Sequence, residues 1–175
     1  MPEGNTNAVS TPRSKNKMWY VIGGIIVIVL IGWFLTRSGG LLGAGAGVDV
    51  DQNIDGSKTY TNDEGTVTVG GGSLPENWPS DAPGVYSGAS IQYSGSSNPQ
   101  TGKAGAAVVY TAKASVKSVI DYYRTELSKA GWNVEATATM GGATVFSAKK
   151  DTRTIGVYVV DSGDGSVNVT AGIEM

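Results

Sequence analysis

Neither cysteine nor histidine occurs anywhere in the 175 residues. Without cysteine there are no disulfides, no thiol nucleophile and no thiolate-held metal. Without histidine the commonest general base and the usual zinc ligand are gone. Ser-His-Asp and Cys-His catalysis, zinc hydrolysis and histidine-ligated haem are therefore excluded, and any enzymatic reading must rest on Asp, Glu, Ser or Lys. Charge of one sign is also scarce where it matters. From Val48 onward there are nine Lys and Arg against fourteen Asp and Glu. An acidic segment is a poor electrostatic partner for nucleic acid.

The organising stretch is residues 18–36, MWYVIGGIIVIVLIGWFLT, which carries no charge. As a helix it would reach ~28 Å, close to the ~30 Å of a bilayer's hydrocarbon. Trp19 and Tyr20 stand at one end and Trp33 and Phe34 at the other, as membrane-interface anchors do. A single transmembrane signal anchor is expected here. Arg13, Lys15 and Lys17 precede it and only Arg37 follows closely, so residues 1–17 are expected to be a disordered cytoplasmic tail and the remainder extracytoplasmic. The competing reading is a signal peptide cleaved after Ala46, but the apolar run is longer than a cleavable one usually is.

Residues 37–57 read as a flexible, Gly-rich and then acidic linker. Within it Asp51, Asn53 and Asp55, followed by Gly56, match the first half of a calcium loop. The twelfth position is Asn62 rather than the bidentate Glu such a loop needs. A solvated acidic linker is the plainer reading, calcium the alternative, and no other cofactor is implied. Asp161, Asp164 and Gly165 read as a turn before they read as a metal loop.

Residues 58–73 are expected to form a hairpin, with Asn62–Gly65 as its turn, and a Gly spacer. Residues 74–175 are expected to form an extracytoplasmic α+β domain. Pro75, Pro79 and Pro83 forbid a helix and impose an extended segment. Strands are expected at 89–94 and 104–113. Ser115 is then an N-cap for a helix over 116–130, whose Val116, Val119, Ile120, Tyr123, Leu127 and Ala130 form one apolar stripe, with Tyr122 on the wet side and Gly131 as its C′ residue. Four strands joined by short turns should follow. The first of them should place Trp132, Val134, Ala136, Ala138 and Met140 on one face. The expected fold class is thus an antiparallel sheet with one amphipathic helix on one face, preceded by a single transmembrane helix.

Leu74-Pro-Glu-Asn-Trp-Pro-Ser-Asp-Ala-Pro83, then Tyr86-Ser-Gly-Ala89, and later Tyr122-Tyr-Arg-Thr-Glu-Leu127 with Ala130-Gly-Trp132, resemble a group of signal-anchored bacterial extracytoplasmic proteins. These share an LPxxWPxDxPxYxGA segment and a Tyr-rich helix ending in Gly-Trp. The similarity covers residues 60–173, and no activity is assigned to the group. Here Gly84 and Val85 stand between Pro83 and Tyr86, where the pattern has one residue.

The function expected from these features is a non-catalytic, membrane-anchored binding or interaction module of the cell envelope. It would meet the bilayer through its span and an envelope protein or glycan through Trp78, Tyr86 and Tyr93. The alternatives are a structural subunit of an envelope secretion or surface-appendage assembly, and a small carboxylate-based enzyme. The first predicts a fixed protein partner, the second a pocket with two facing carboxylates.

Overall fold

The computed structural model describes residues 49–62, 65–97, 104–140 and 142–175. Among these residues the elements run β1 (Asp49–Gln52), β2 (Lys58–Asn62), β3 (Gly65–Val69), β4 (Ser90–Ser97), β5 (Gly105–Ala112), α1 (Val116–Lys129), β6 (Asn133–Met140), β7 (Ala143–Lys150), β8 (Arg153–Asp161) and β9 (Val167–Glu174). All nine strands join one antiparallel sheet in the order β1-β2-β3-β4-β5-β9-β8-β7-β6. Strands neighbouring in sequence pair on either side of α1, through short turns except between β3 and β4, where residues 70–89 intervene. The β5–α1–β6 crossover carries the chain from the sheet's middle to its far edge, and the second meander returns until β9 pairs with β5.

Local chemistry sets the helix ends. The Ser115 hydroxyl accepts the Ser118 amide at 3.1 Å, satisfying a donor the first turn would leave orphaned. At the other end Gly131 has φ 79°. The Trp132 amide donates to Leu127 O at 2.9 Å and the Gly131 amide to Ser128 O at 3.1 Å, a Schellman closure. Lys150 Nζ donates to Ala130 O at 2.7 Å, placing a cation where the helix dipole is negative.

The helix turns Val119, Ile120, Tyr123 and Leu127 onto β6, β7 and β8. They join one buried cluster with Phe146 and Ala148 of β7, Ile155, Val157 and Val159 of β8 and Val169 of β9. At ~1.5–3 kcal/mol for each large apolar side chain, this stripe is the main reason the helix stays docked. The sheet face carrying α1 is called inner below. Along β5 the alternation is regular, with Ala106, Val108, Tyr110 and Ala112 inward.

Three expectations about strands and boundaries need correction. Residues 49–52, expected within a flexible linker, form the edge strand β1, because Asp49–Gln52 pair with Lys58–Thr61 of β2. The boundary expected between 73 and 74 is not a break in structure, since β3 pairs with β4 and the Gly70 amide donates to Gln92 O at 2.9 Å. The strand after the helix does not keep one face. A bulge at Glu135 shifts the register between Val134 and Ala136, so Thr137 rather than Ala138 lies opposite Phe146. An inserted residue reverses every side chain beyond it. Arg124 Nη2 reaches Thr137 Oγ1 at 3.3 Å, as that reversal requires.

Candidate functional site

The inner face divides into three successive regions, two covered and one open. First comes α1. Second is the proline-rich segment 74–89, expected to be extended but folded as a strap of successive turns, whose Leu74, Trp78, Ala82, Val85, Tyr86 and Ala89 pack against the core. Pro75, Pro79 and Pro83 carry no amide, and the Trp78, Ala82 and Ala89 amides close turns on Pro75 O, Pro79 O and Tyr86 O.

A polar knot pins the strap at Asp81. Arg153 meets its carboxylate with two 2.7 Å hydrogen bonds, Nη1 to Oδ1 and Nη2 to Oδ2, while Lys150 Nζ adds a third at 2.8 Å. Trp132 Nε1 donates to Asp81 O at 2.8 Å, and the Arg153 guanidinium sits 5.0 Å from the Trp132 ring centroid. Hydrogen bonds from Arg153 and then Lys150 hold the Asp81 carboxyl far below the usual carboxylate range. Further along, Tyr122 Oη donates to Gly84 O and Val85 O at 3.4 and 3.3 Å, and its ring meets Tyr86 edge-on at 5.5 Å. Tyr122, expected on the wet side of the helix, is instead half-buried against the strap.

The third region, over β2, β3 and β4, is an open groove of about 400 Å³. Its floor follows from register. Val108 points inward and lies opposite Ser94, Ser94 opposite Thr68, and Thr68 opposite Thr59; Ala106, Ser96, Thr66 and Thr61 form a parallel row. Beyond Val108 and Ala106 the inner face therefore changes from apolar side chains to hydroxyls. Thr59 and Thr68 hydroxyls are 3.0 Å apart and Thr61 and Thr66 3.3 Å, the cross-strand pairing that stabilises polar sheet faces.

One wall is the start of the strap, Ser73 to Glu76, with Leu74 and Pro75 its apolar part. The other is the β1–β2 turn. There Asn53 Nδ2 donates to Ser57 Oγ at 2.8 Å and Thr59 Oγ1 at 3.1 Å. Asp55 Oδ1 accepts the Ser57 amide at 2.9 Å and hydroxyl at 2.7 Å, and these bonds lower its pKa. Gly71 closes the corner. A Cβ there would stand 2.7 Å from Thr68 Cγ2, so only glycine fits without a shift.

The structure separates the sequence candidates. Trp78 is half-buried, with Nε1 donating to Pro83 O at 3.2 Å, so its ring is committed to holding the strap. Tyr86 is held between strap and helix. Tyr93 is 38% exposed and lies opposite Val109 on the outer face, so the three do not share a surface. Asp51 pairs with Thr59 in β1, while Asn53 and Asp55 order the turn that walls the groove. Among the described residues no three His, Cys, Asp or Glu are placed to hold a metal ion. Asp161 and Asp164 accept the Gly163 and Ser166 amides and form a turn. Trp19, Tyr20, Trp33 and Phe34 lie outside the described residues. No helix among the described residues is long and apolar enough to cross a membrane.

A family model described as START domain-like matches residues 91–167, from β4 to the start of β9. Nothing matches among curated proteins or among solved structures. The matched stretch holds α1 and the sheet beneath it, where side chains fill the interior: Val119, Tyr123, Leu127, Val108 and Val159 are each 0% exposed. Most of the groove lies before it in the chain. The signal for this groove was present in the sequence as hydroxyls at every second position, Thr59 and Thr61, Thr66 and Thr68, Ser94 and Ser96.

Proposed function

We propose that this chain is a non-catalytic binding module of the cell envelope, tethered by residues 18–36 as a single span with its N-terminus cytoplasmic. The apolar run, its aromatic ends and the basic residues before it support the tether. The resemblance to signal-anchored extracytoplasmic proteins points the same way. The observation that carries the binding reading is the groove, a concave surface of preformed hydrogen-bonding groups beside a rigid strap. Its chemistry is that of recognition. The threonine hydroxyls are paired with one another, and the one carboxylate bonded to a groove hydroxyl, Asp55, has its pKa lowered by that bond and by the Ser57 amide, which makes it a weaker base.

An assembly subunit is the second reading, and one feature favours it. Strand β1 is a sheet edge whose four residues are all exposed, with Val50 56% exposed, a surface able to accept a further strand. A photo-crosslinking residue at Thr66, within the groove, and another at Val50, on the edge, separate the two in intact cells. Crosslinks from position 66 to envelope material support the binding module. One stoichiometric protein captured from position 50, with none from 66, overturns it in favour of the assembly subunit. Protease digestion of whole cells tests the tether: loss of residues 49–175 from the outside is expected, and full protection would sink the orientation.

A further inference from the structure

Resting on the binding-module reading, we infer that the groove over β2–β4 takes a saccharide lacking anionic groups. Three observations lead there. The first is the density and order of hydroxyls. Ser57, Thr59, Thr66, Thr68, Ser94 and Ser96 line one groove, and several are already joined in a directed network. Both Asn53 Nδ2 protons are used, on Ser57 and Thr59. The Ser57 proton goes to Asp55. Thr59 accepts from Asn53 and shares one proton with Thr68, 3.0 Å away, so whichever of the two hydroxyls accepts in that pair keeps its own proton to donate onward. Both Ser57 bonds fall on Oδ1 of Asp55, so Oδ2 remains an acceptor. The groove thus offers donors and acceptors side by side in a fixed pattern. A sugar hydroxyl, which donates and accepts at once, complements such a pattern; a purely accepting ligand does not.

The second observation is charge. Asp55 and Glu76 line the groove, and Asp49 and Asp51 stand on the same face of β1, in the rows of Thr61 and Thr59. No Lys or Arg is among the lining residues. A phosphate, sulfate or uronate would meet carboxylates without a compensating cation, which disfavours anionic ligands. The third is shape. Leu74 and Pro75 add an apolar strip to one wall, a surface for the C–H face of a pyranose ring, and a groove of about 400 Å³ is within the range of small-ligand sites. The lining holds no aromatic ring, so affinity should be modest.

The test is a titration of the full chain, isotopically labelled and held in a detergent without a sugar headgroup. The probes are three trisaccharides: N-acetylglucosamine trimer, glucosamine trimer and galacturonate trimer. The first two are expected to shift the amide resonances of Thr59, Thr66, Thr68 and Ser94, and the galacturonate trimer to bind more weakly than either. The double variant Thr66→Val/Thr68→Val keeps shape and strand propensity while removing two hydroxyls. It should weaken binding about tenfold. Tyr93→Ala on the outer face should leave the affinity unchanged. Because the wild-type shifts locate the site by themselves, the inference stands or falls even if the double variant unfolds. Absence of shifts with all three sugars, shifts confined to the outer face, or galacturonate binding as tightly as the neutral trimer each overturns it. Crosslinks from position 66 to a protein, with no sugar bound, would remove the saccharide while leaving the binding-module reading intact.

Discussion

Arg153 and Asp81, 72 residues apart in the chain, meet through two parallel hydrogen bonds of 2.7 Å. This pair joins the strap to the start of β8, and with Lys150 and Trp132 it ties strap, helix end and sheet into one corner. The geometry is the bidentate fork for which arginine suits better than lysine. Replacing Asp81 by Asn keeps the volume and the backbone bond to Trp132 but removes the charge that Arg153 and Lys150 share. Both partners are partly exposed and can recover water. The expected loss in a denaturant unfolding experiment is therefore ~1–2 kcal/mol rather than the larger cost of stranding a buried charge. Arg153→Lys should lose part of this, because an ammonium cannot hold both oxygens. A variant as stable as wild type would mean that the strap is held by its apolar contacts alone.

The same pair makes a pH prediction. Asp81 has a folded pKa depressed by Arg153 and Lys150, so its contribution is complete above the unfolded value of ~3.9 and is lost as pH falls towards the folded one. The difference in melting temperature between wild type and Asp81→Asn should be constant from neutral pH to about pH 5 and shrink on further acidification. A difference that instead fades between pH 8 and 6 would show that another group governs it.

Tyr110 and Tyr123 give the opposite limb. Their hydroxyls are 3.2 Å apart and both rings are 0% exposed. Burial pushes Tyr110 up to about 12 and Tyr123 well above its ordinary value. For a group kept neutral in the fold, the stabilisation is present below the unfolded pKa of ~10 and lost as pH rises through the folded one. An absorbance titration of phenolate should therefore leave these two tyrosines un-ionised at pH 11, with their titration merging into alkaline unfolding. Tyr123→Phe removes the Tyr123 hydroxyl from Tyr110, which keeps its hydrogen bond with the Tyr86 backbone, and should cost ~1 kcal/mol.

What the sequence revealed and what it withheld divide by distance along the chain. Ser115 and Gly131 bracket the helix through bonds to residues three to five positions away, so the sequence alone locates the helix ends. The hairpins were legible for the same reason. The inward face of β6 was not, because the Glu135 bulge is defined only against its partner strand, opposite Ala148 and Ser147. Nor was the Asp81 knot, since an Asp in a proline-rich stretch and an Arg in a strand carry no mark of each other. The groove was half legible. Alternating hydroxyls were visible, but only the register through Ser94 to Val108 shows that they share the helix's face. Trp78 drew attention as an aromatic among prolines, and aromatics serve both packing and binding.

Trp78 separates those two roles directly. Its ring packs on the core and its indole donates to Pro83 O, so it acts on the strap and lines no part of the groove. Trp78→Ala should destabilise the fold by ~3 kcal/mol or more through lost contacts and an unfilled space under the strap. Trp78→Phe, which keeps much of the ring but gives up the hydrogen bond, should cost ~1 kcal/mol. In the Phe variant, folded at 25 °C, the affinity for whatever the groove binds should equal that of wild type within twofold. A Phe variant of normal stability whose binding falls tenfold would return Trp78 to the binding surface and move the site from the groove to the strap.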